Sequence, residues 1–215
     1  MSKKISEAVF DDSAALGAPG SIAESPWVVM KFGGSSVSTA ENWATIAALV
    51  KRRLADGLKP VIVHSALKGV SNALEDVLHA AVAGDPTDQL ASIRAQHYEL
   101  ASALGLDGAE LLDDTLHELD QLVAGVRLVR EVSVRVRVRI MALGELMSTR
   151  LGAEFLARSG LPVQWVDARD LLVSRSKTGR NPVNEQLSAT CDFAPDAAMQ
   201  SALAAYGKVI LTQGF

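Results

Sequence analysis

Three groups of residues in this chain have types and spacings that can do chemistry. Lys31 closes an apolar run after Pro26 in "WVVMKFGGSSVSTAENW" (27–43), and Phe32, Gly33 and Gly34 follow it at once. Ser65 ends a second apolar run, "PVIVHSA" (60–66), behind which "LKGVSNAL" carries Gly69, Ser71 and Asn72. Glu145 interrupts the apolar segment "IMALGELMSTRL" (140–151). A glycine pair behind a strand leaves backbone N–H groups bare. With a helix starting soon after, those groups and the positive helix end converge on one point, which suits an anion and above all a phosphate. Lys31 adds a full charge beside them. The same residues also fit a plain tight turn with a lysine reaching solvent, so the motif alone is two-sided. Neither G-x-x-x-x-G-K-[ST] nor G-x-G-x-x-G occurs, which excludes a P-loop and a dinucleotide fingerprint.

Ligands of open α/β sheets lie beyond the carboxyl ends of the strands, so Ser65 and Ser71 are placed to face the same crevice as Lys31. Ser71 also has a structural reading as a helix N-cap, worth about 1 kcal/mol. Glu145 stands among Met141, Leu143, Leu146 and Met147, where a carboxylate is costly to bury unless it meets a cation or hydrogen-bond donors. A substrate ammonium is one such cation. An exposed helix glutamate is the competing reading.

Positioning these groups requires strands and helices in alternation. Strand-like runs occupy 27–32, 60–66, 161–168 and 208–215, with long amphipathic segments between them. This pattern predicts βαβ units and a parallel sheet covered on both faces. Ser38 and Glu41 have capping-box spacing, and Trp43, Ile46, Ala47, Val50 and Leu54 recur on one helical face behind them. From about 84 to 130 the chain is rich in Leu, Ala, Glu and Asp at helical spacing, as in Leu111, Leu112, Thr115, Leu116, Leu119 and Leu122, and predicts a helical excursion. "SVRVRVRIMALGE" (133–145) alternates like a strand but runs into a long helical pattern, and helix is the reading for most of it. Arg135 and Arg139 then share a face at i, i+4, as a solvated flank.

Of 215 residues, 48% are hydrophobic and 21% charged, enough for one core and a second small lobe. A net charge of −4 argues against a general nucleic-acid binder and in favour of small-molecule partners. Cys191 is the single cysteine and has no intramolecular partner, which fits a reducing compartment such as the cytoplasm. Residues 1–25 read as a mobile tail without a signal peptide, and no span is apolar enough to predict a membrane crossing.

"KFGGSSV", "SALKGVSNAL", "GELMSTRL", "WVDARDLL" with a following "GR", and "TQGF" resemble, in order and spacing, the N-terminal half of aspartate kinases, members of the amino-acid kinase superfamily. The similarity spans residues 27–215. It implies an α/β fold: a three-layer αβα sandwich with a mainly parallel sheet, truncated, carrying the helical excursion, with residues 26–215 as the N-terminal part of the kinase domain. By the resemblance Lys31 is the catalytic charge on the transferring phosphoryl group, and Lys31, Phe32, Gly33 and Gly34 hold the phosphates of ATP, used with Mg²⁺. Ser65, Ser71 and Glu145 fall where the family binds L-aspartate, the glutamate meeting its ammonium. No protein metal site is implied in this part. Ser35 and Ser71 stand where the family usually has threonine, and both keep the hydroxyl. The family continues past Phe215 with a nucleotide-binding half and regulatory domains, so the resemblance implies a fragment without appreciable kinase activity by itself and a homo-oligomer when complete. Three alternatives remain open: fusion to homoserine dehydrogenase or diaminopimelate decarboxylase, another kinase of the superfamily acting on acetylglutamate or a nucleotide, and a non-catalytic binding or assembly module.

Overall fold

Among the described residues, short runs of β-branched and apolar residues form four strands: β1 Trp27–Phe32, β2 Lys59–His64, β3 Val163–Trp165 and β4 Val209–Gln213. The structure, a computed structural model, describes residues 25–172 and 194–214. The first 24 residues of the expected tail, the "GR" pair, Cys191 and Phe215 lie outside the described residues. All strands pair in parallel in the order β1-β2-β4-β3. Parallel neighbours need long crossovers, and helices supply them. One helix, α1 Ala40–Ala55, links β1 to β2. Four more, α2 Val70–Ala83, α3 Thr87–Ala103, α4 Gly108–Val129 and α5 Val134–Arg158, separate β2 from β3. Between β3 and β4 lie α6 Ala168–Leu171 and α7 Ala197–Ala205.

Alternate strand residues feed two apolar layers, as the period of two requires. Met30, Ile62 and Leu211 join the main core with Trp43, Ile46 and Val50 of α1 and Leu143 and Leu151 of α5. On the other face, Ile210, Trp27 and Val61 pack with Leu171, Met199 and Leu203 from α6 and α7. Helices therefore cover both faces, and the expected αβα sandwich is the fold observed. The second layer is the thinner one, and Val29 on its side of β1 is 68% exposed. Among the described residues no helix is long and apolar enough to cross a membrane.

Helix α5 resolves the strand-like alternation at 133–145. Ser133 caps it, its Oγ accepting from the Val136 N–H at 3.3 Å. Arg137 pairs with Glu75 of α2, and Arg139 Nε donates to Glu118 of α4 at 2.6 Å. Arg137 and Arg139 thus reach different neighbouring helices. Arg135 and Arg139 are both exposed. At Gly152 the same helix meets α1 so closely that a Cβ would lie 2.1 Å from Trp43 Cη2.

Two local expectations are corrected. Thr39, not Ser38, caps α1, its Oγ1 accepting from the Asn42 N–H at 3.2 Å, because the Ser38 hydroxyl is engaged elsewhere. The expected strand at 161–168 is only three residues long: β3 is an edge strand, and after Val166 donates to Leu211 O at 2.9 Å, Asp167 begins α6.

Candidate active site

Strand register gathers the candidate residues at one end of the sheet. Lys31 lies opposite Val63, Phe32 opposite His64, and His64 opposite Gln213. The Ser65 N–H donates to Phe32 O at 3.3 Å and the Gly214 N–H to His64 O at 3.2 Å, so the pairing continues just past the strands. Lys31 and Ser65 therefore stand on adjacent strand ends, on the carboxyl side where open α/β sheets bind ligands. Lys31 is exposed there, and Phe32 is half-buried against the core.

Behind Phe32 the chain makes a 3₁₀ turn, Gly34–Val37, before α1 begins. The first N–H groups of a helical turn have no acceptor within it, so the head of this turn is where an anion would find backbone amides. Its back is fastened down: Asn42 Nδ2 donates to Ser35 O and Trp43 Nε1 to Val37 O, each at 2.9 Å.

The two glycines differ. A Cβ on Gly34 would come within 2.7 Å of Ala66 O and 3.1 Å of Lys68 N, so its bare backbone is needed where the turn touches the β2–α2 loop. A Cβ on Gly33 would meet nothing within 4 Å, and its φ of −83° suits any residue. The fold leaves Gly33 open; a phosphate approaching the backbone gives a reason for glycine there. Gly34→Ala is therefore expected to lower the melting temperature and distort the site together. If the turn holds the phosphates of ATP, as the resemblance implies, Gly33→Ala is expected to keep the wild-type melting temperature and weaken ATP binding by about 10-fold, because the added Cβ holds a phosphate off the backbone and costs about one hydrogen bond to a charged group. Paired thermal melts and ATP titrations check both.

Ser71 does not cap α2. Gly69 at φ +85° holds that position, a left-handed turn that favours glycine, and makes no side-chain cap. The Ser71 hydroxyl is exposed in the first helical turn, beside the half-buried Ser65 loop. Glu145 is not the exposed helix glutamate of the competing reading: it is only 9% exposed. Helix α5 itself packs on the same loop at the neighbouring Gly144, where a Cβ would lie 2.9 Å from Val70 Cγ1 and 3.3 Å from Ala66 Cβ. One turn on, Ser148 Oγ lies 3.5 Å from His64 Nδ1 at the end of β2. Residues three apart share a helix face, so Glu145 and Ser148 both address the sheet's carboxyl end.

Sequence reasoning passed over His64 and an ion pair. His64 is fully buried, edge-on to Trp43 at 5.3 Å, with Nδ1 3.0 Å from Ser65 O. Burial lowers its pKa from 6.5 to about 4, against the opposing hydrogen bond at Ser65, so the folded protein keeps it neutral. Below pH 6.5 the unfolded chain takes up a proton here that the folded chain does not, so stability falls with falling pH, by about 3 kcal/mol at pH 4. Urea melts at pH 7 and pH 4 should show that loss in wild type and a smaller one in His64→Gln.

The ion pair involves Asp167, whose carboxylate accepts from Arg169 Nε at 2.9 Å and from Gln213 Nε2 at 2.5 Å. Partial burial opposes ionisation of Asp167, but the hydrogen bonds and charge of Arg169, with the Gln213 amide, hold its carboxyl below the usual range. The signal lay in "WVDARDLL" and "TQGF", whose contact depends on β3 and β4 being neighbours. Among the described residues no group of three or more His, Cys, Asp or Glu is placed to hold a metal ion.

Fold and site together define an open α/β protein with a candidate anion site at the carboxyl ends of its parallel strands. The amino acid kinase family model matches residues 26–215, and the chain belongs to that family. Aspartokinase 3, chloroplastic, of Arabidopsis thaliana is 35% identical over 148 residues, which is 66% of this chain and 26% of that protein. The bifunctional aspartokinase/homoserine dehydrogenase 1, chloroplastic, of the same plant is 30% identical over 155 residues, 68% of this chain and 17% of the relative. Among solved structures, Escherichia coli aspartokinase III in complex with aspartate and ADP (R-state) superposes with a TM-score of 0.64 at 27% identity. That match covers 87% of this chain and 40% of the other. This chain thus spans less than half the length of the relatives it resembles.

Proposed function

We propose that this site serves aspartate kinase chemistry: transfer of the γ-phosphoryl group of ATP to the β-carboxylate of L-aspartate, giving 4-phospho-L-aspartate. In metabolism this is the first step toward lysine, threonine and methionine. The observation that carries the reading is the burial of Glu145 on the stretch of α5 that packs, at Gly144, on the Ser65–Ser71 loop, in a chain whose relatives are aspartokinases. A carboxylate enclosed there suits a substrate with a free ammonium. An acylated amine, as in acetylglutamate, has no charge for it to meet.

ATP with Mg²⁺ supplies the transferable phosphoryl group, the metal held largely by phosphate oxygens and water. Open space at Gly33, amides at the head of the 3₁₀ turn and the exposed Lys31 fit a polyphosphate. The acceptor carboxylate is already ionised near neutral pH, so the site needs no general base. What the residues must do is hold two anions together. Lys31 and the Gly33–Gly34 amides offset phosphate charge, Ser65 and Ser71 orient the acceptor, and Glu145 anchors its ammonium.

The test is an ATP-dependent acyl-phosphate assay on the full-length natural protein, trapped with hydroxylamine. Hydroxamate forming with L-aspartate and not with N-acetylglutamate is the expected result; equal or better use of N-acetylglutamate, or none of aspartate, overturns it. A second reading, a bifunctional polypeptide, is favoured by the aspartokinase/homoserine dehydrogenase relative, and the natural reading frame around codon 215 decides it. A cytoplasmic location and homo-oligomeric assembly belong to the same proposal, although the plant relatives are named chloroplastic.

A further inference from the structure

We propose that Ser38 is a positioning residue that locks the Lys31–Gly34 turn to the Ser65–Ser71 loop and so fixes the spacing between phosphate and acceptor. The proposal rests on the site reading above. Ser38 is the C-cap of the 3₁₀ turn Gly34–Val37. Its Oγ donates to Gly34 O at 2.6 Å and accepts from the Lys68 N–H at 2.8 Å, joining positions thirty residues apart. A hydroxyl carries one hydrogen, and Gly34 O takes it, so the lone pairs remain for Lys68. The Lys68 carbonyl is held as well, accepting from Gln96 Nε2 of α3 at 3.0 Å. The result is a chain of side-chain hydrogen bonds running from α3 through the substrate loop to the phosphate turn.

Two further observations make the clamp more than an incidental contact. The loops already touch at the backbone, where Gly34 has no room for a Cβ against Ala66 O. Contact alone permits sliding; a hydrogen bond on each side of one oxygen does not. Moreover, Ser38 is not needed for helix α1, since Thr39 caps it, and it is half-buried at the seam of the two loops. Phosphoryl transfer between two bound anions depends on alignment, and a displacement of about 1 Å can cost about 100-fold in rate. The residue that sets the seam therefore acts on turnover more than on either affinity.

The experiment compares wild type, Ser38→Ala and Ser38→Thr in the full-length natural protein. Ser38→Ala is expected to lower kcat about 10- to 100-fold while the KM values for ATP and aspartate stay within about threefold. Ser38→Thr, which keeps the hydroxyl, restores most of that loss. Independently of turnover, hydrogen exchange at the Lys68 amide should quicken at least about 10-fold in Ser38→Ala while the Ser65 amide, bonded to Phe32 O, is unchanged. Unaltered Lys68 exchange overturns the clamp whatever the substrate proves to be. So does a melting-temperature loss that tracks the activity loss and is not rescued by threonine, which marks a merely structural role. Hydroxamate absent in wild type but with Lys68 exchange accelerated in Ser38→Ala overturns the aspartate reading and keeps the clamp.

Discussion

Replacing Lys31 with alanine is expected to lower aspartate-dependent acyl-phosphate formation by roughly 100- to 1,000-fold, the range seen when one preorganised charge-stabilising donor is removed. Lys31 is exposed at the carboxyl end of β1, adjacent to the turn that presents backbone amides, so its ammonium is free of packing duties. In the proposed reaction the charge it opposes grows as the two anions close on each other. Removing it therefore raises the transition state more than the bound ground state. Aspartate affinity should be nearly unchanged, because the proposed reading gives the ammonium and acceptor contacts to Glu145, Ser65 and Ser71. Measured separately, kcat should collapse while aspartate binding in the presence of a non-hydrolysable ATP analogue persists. Near-normal turnover in Lys31→Ala removes this residue from the chemistry.

Glu145→Gln has a different signature. The change keeps the shape of a buried side chain on α5 and removes only its charge. If that charge meets the substrate ammonium, the loss corresponds to breaking a buried ion pair, about 2–5 kcal/mol. At 1.4 kcal/mol per tenfold, the KM for aspartate rises by about 30-fold or more, with ATP little affected. Equal weakening of both substrates, together with a lower melting temperature, assigns Glu145 to packing instead. The two variants thus separate the halves of the proposed reaction: one loses rate, the other loses one substrate.

How much of this was legible beforehand depends on the range of each interaction. Strand and helix patterns are local, written in hydrophobic spacing, and they announced β1, the buried face of α1 and the parallel α/β class directly. The Lys31–Gly34 segment was visible for the same reason, since a glycine pair after a strand is a contiguous signal. Local chemistry misled where a side chain had a distant competitor. Ser38 has capping-box spacing with Glu41, yet its hydroxyl goes to Gly34 and Lys68, and Thr39 takes the cap. Ser71 looked like a cap, but the left-handed Gly69 occupies that place. The arginine alternation at 135–139 resembled a strand, and the carboxylates that Arg137 and Arg139 meet in the helix sit on α2 and α4, far away in sequence. Only the tertiary structure decided that Glu145 is buried, that Gly34 must be glycine for Ala66 while Gly33 is open, and that Asp167 meets Gln213. Each of these follows from strand order and helix packing, which bring together backbone segments whose separation along the chain carries no periodic trace of their contact.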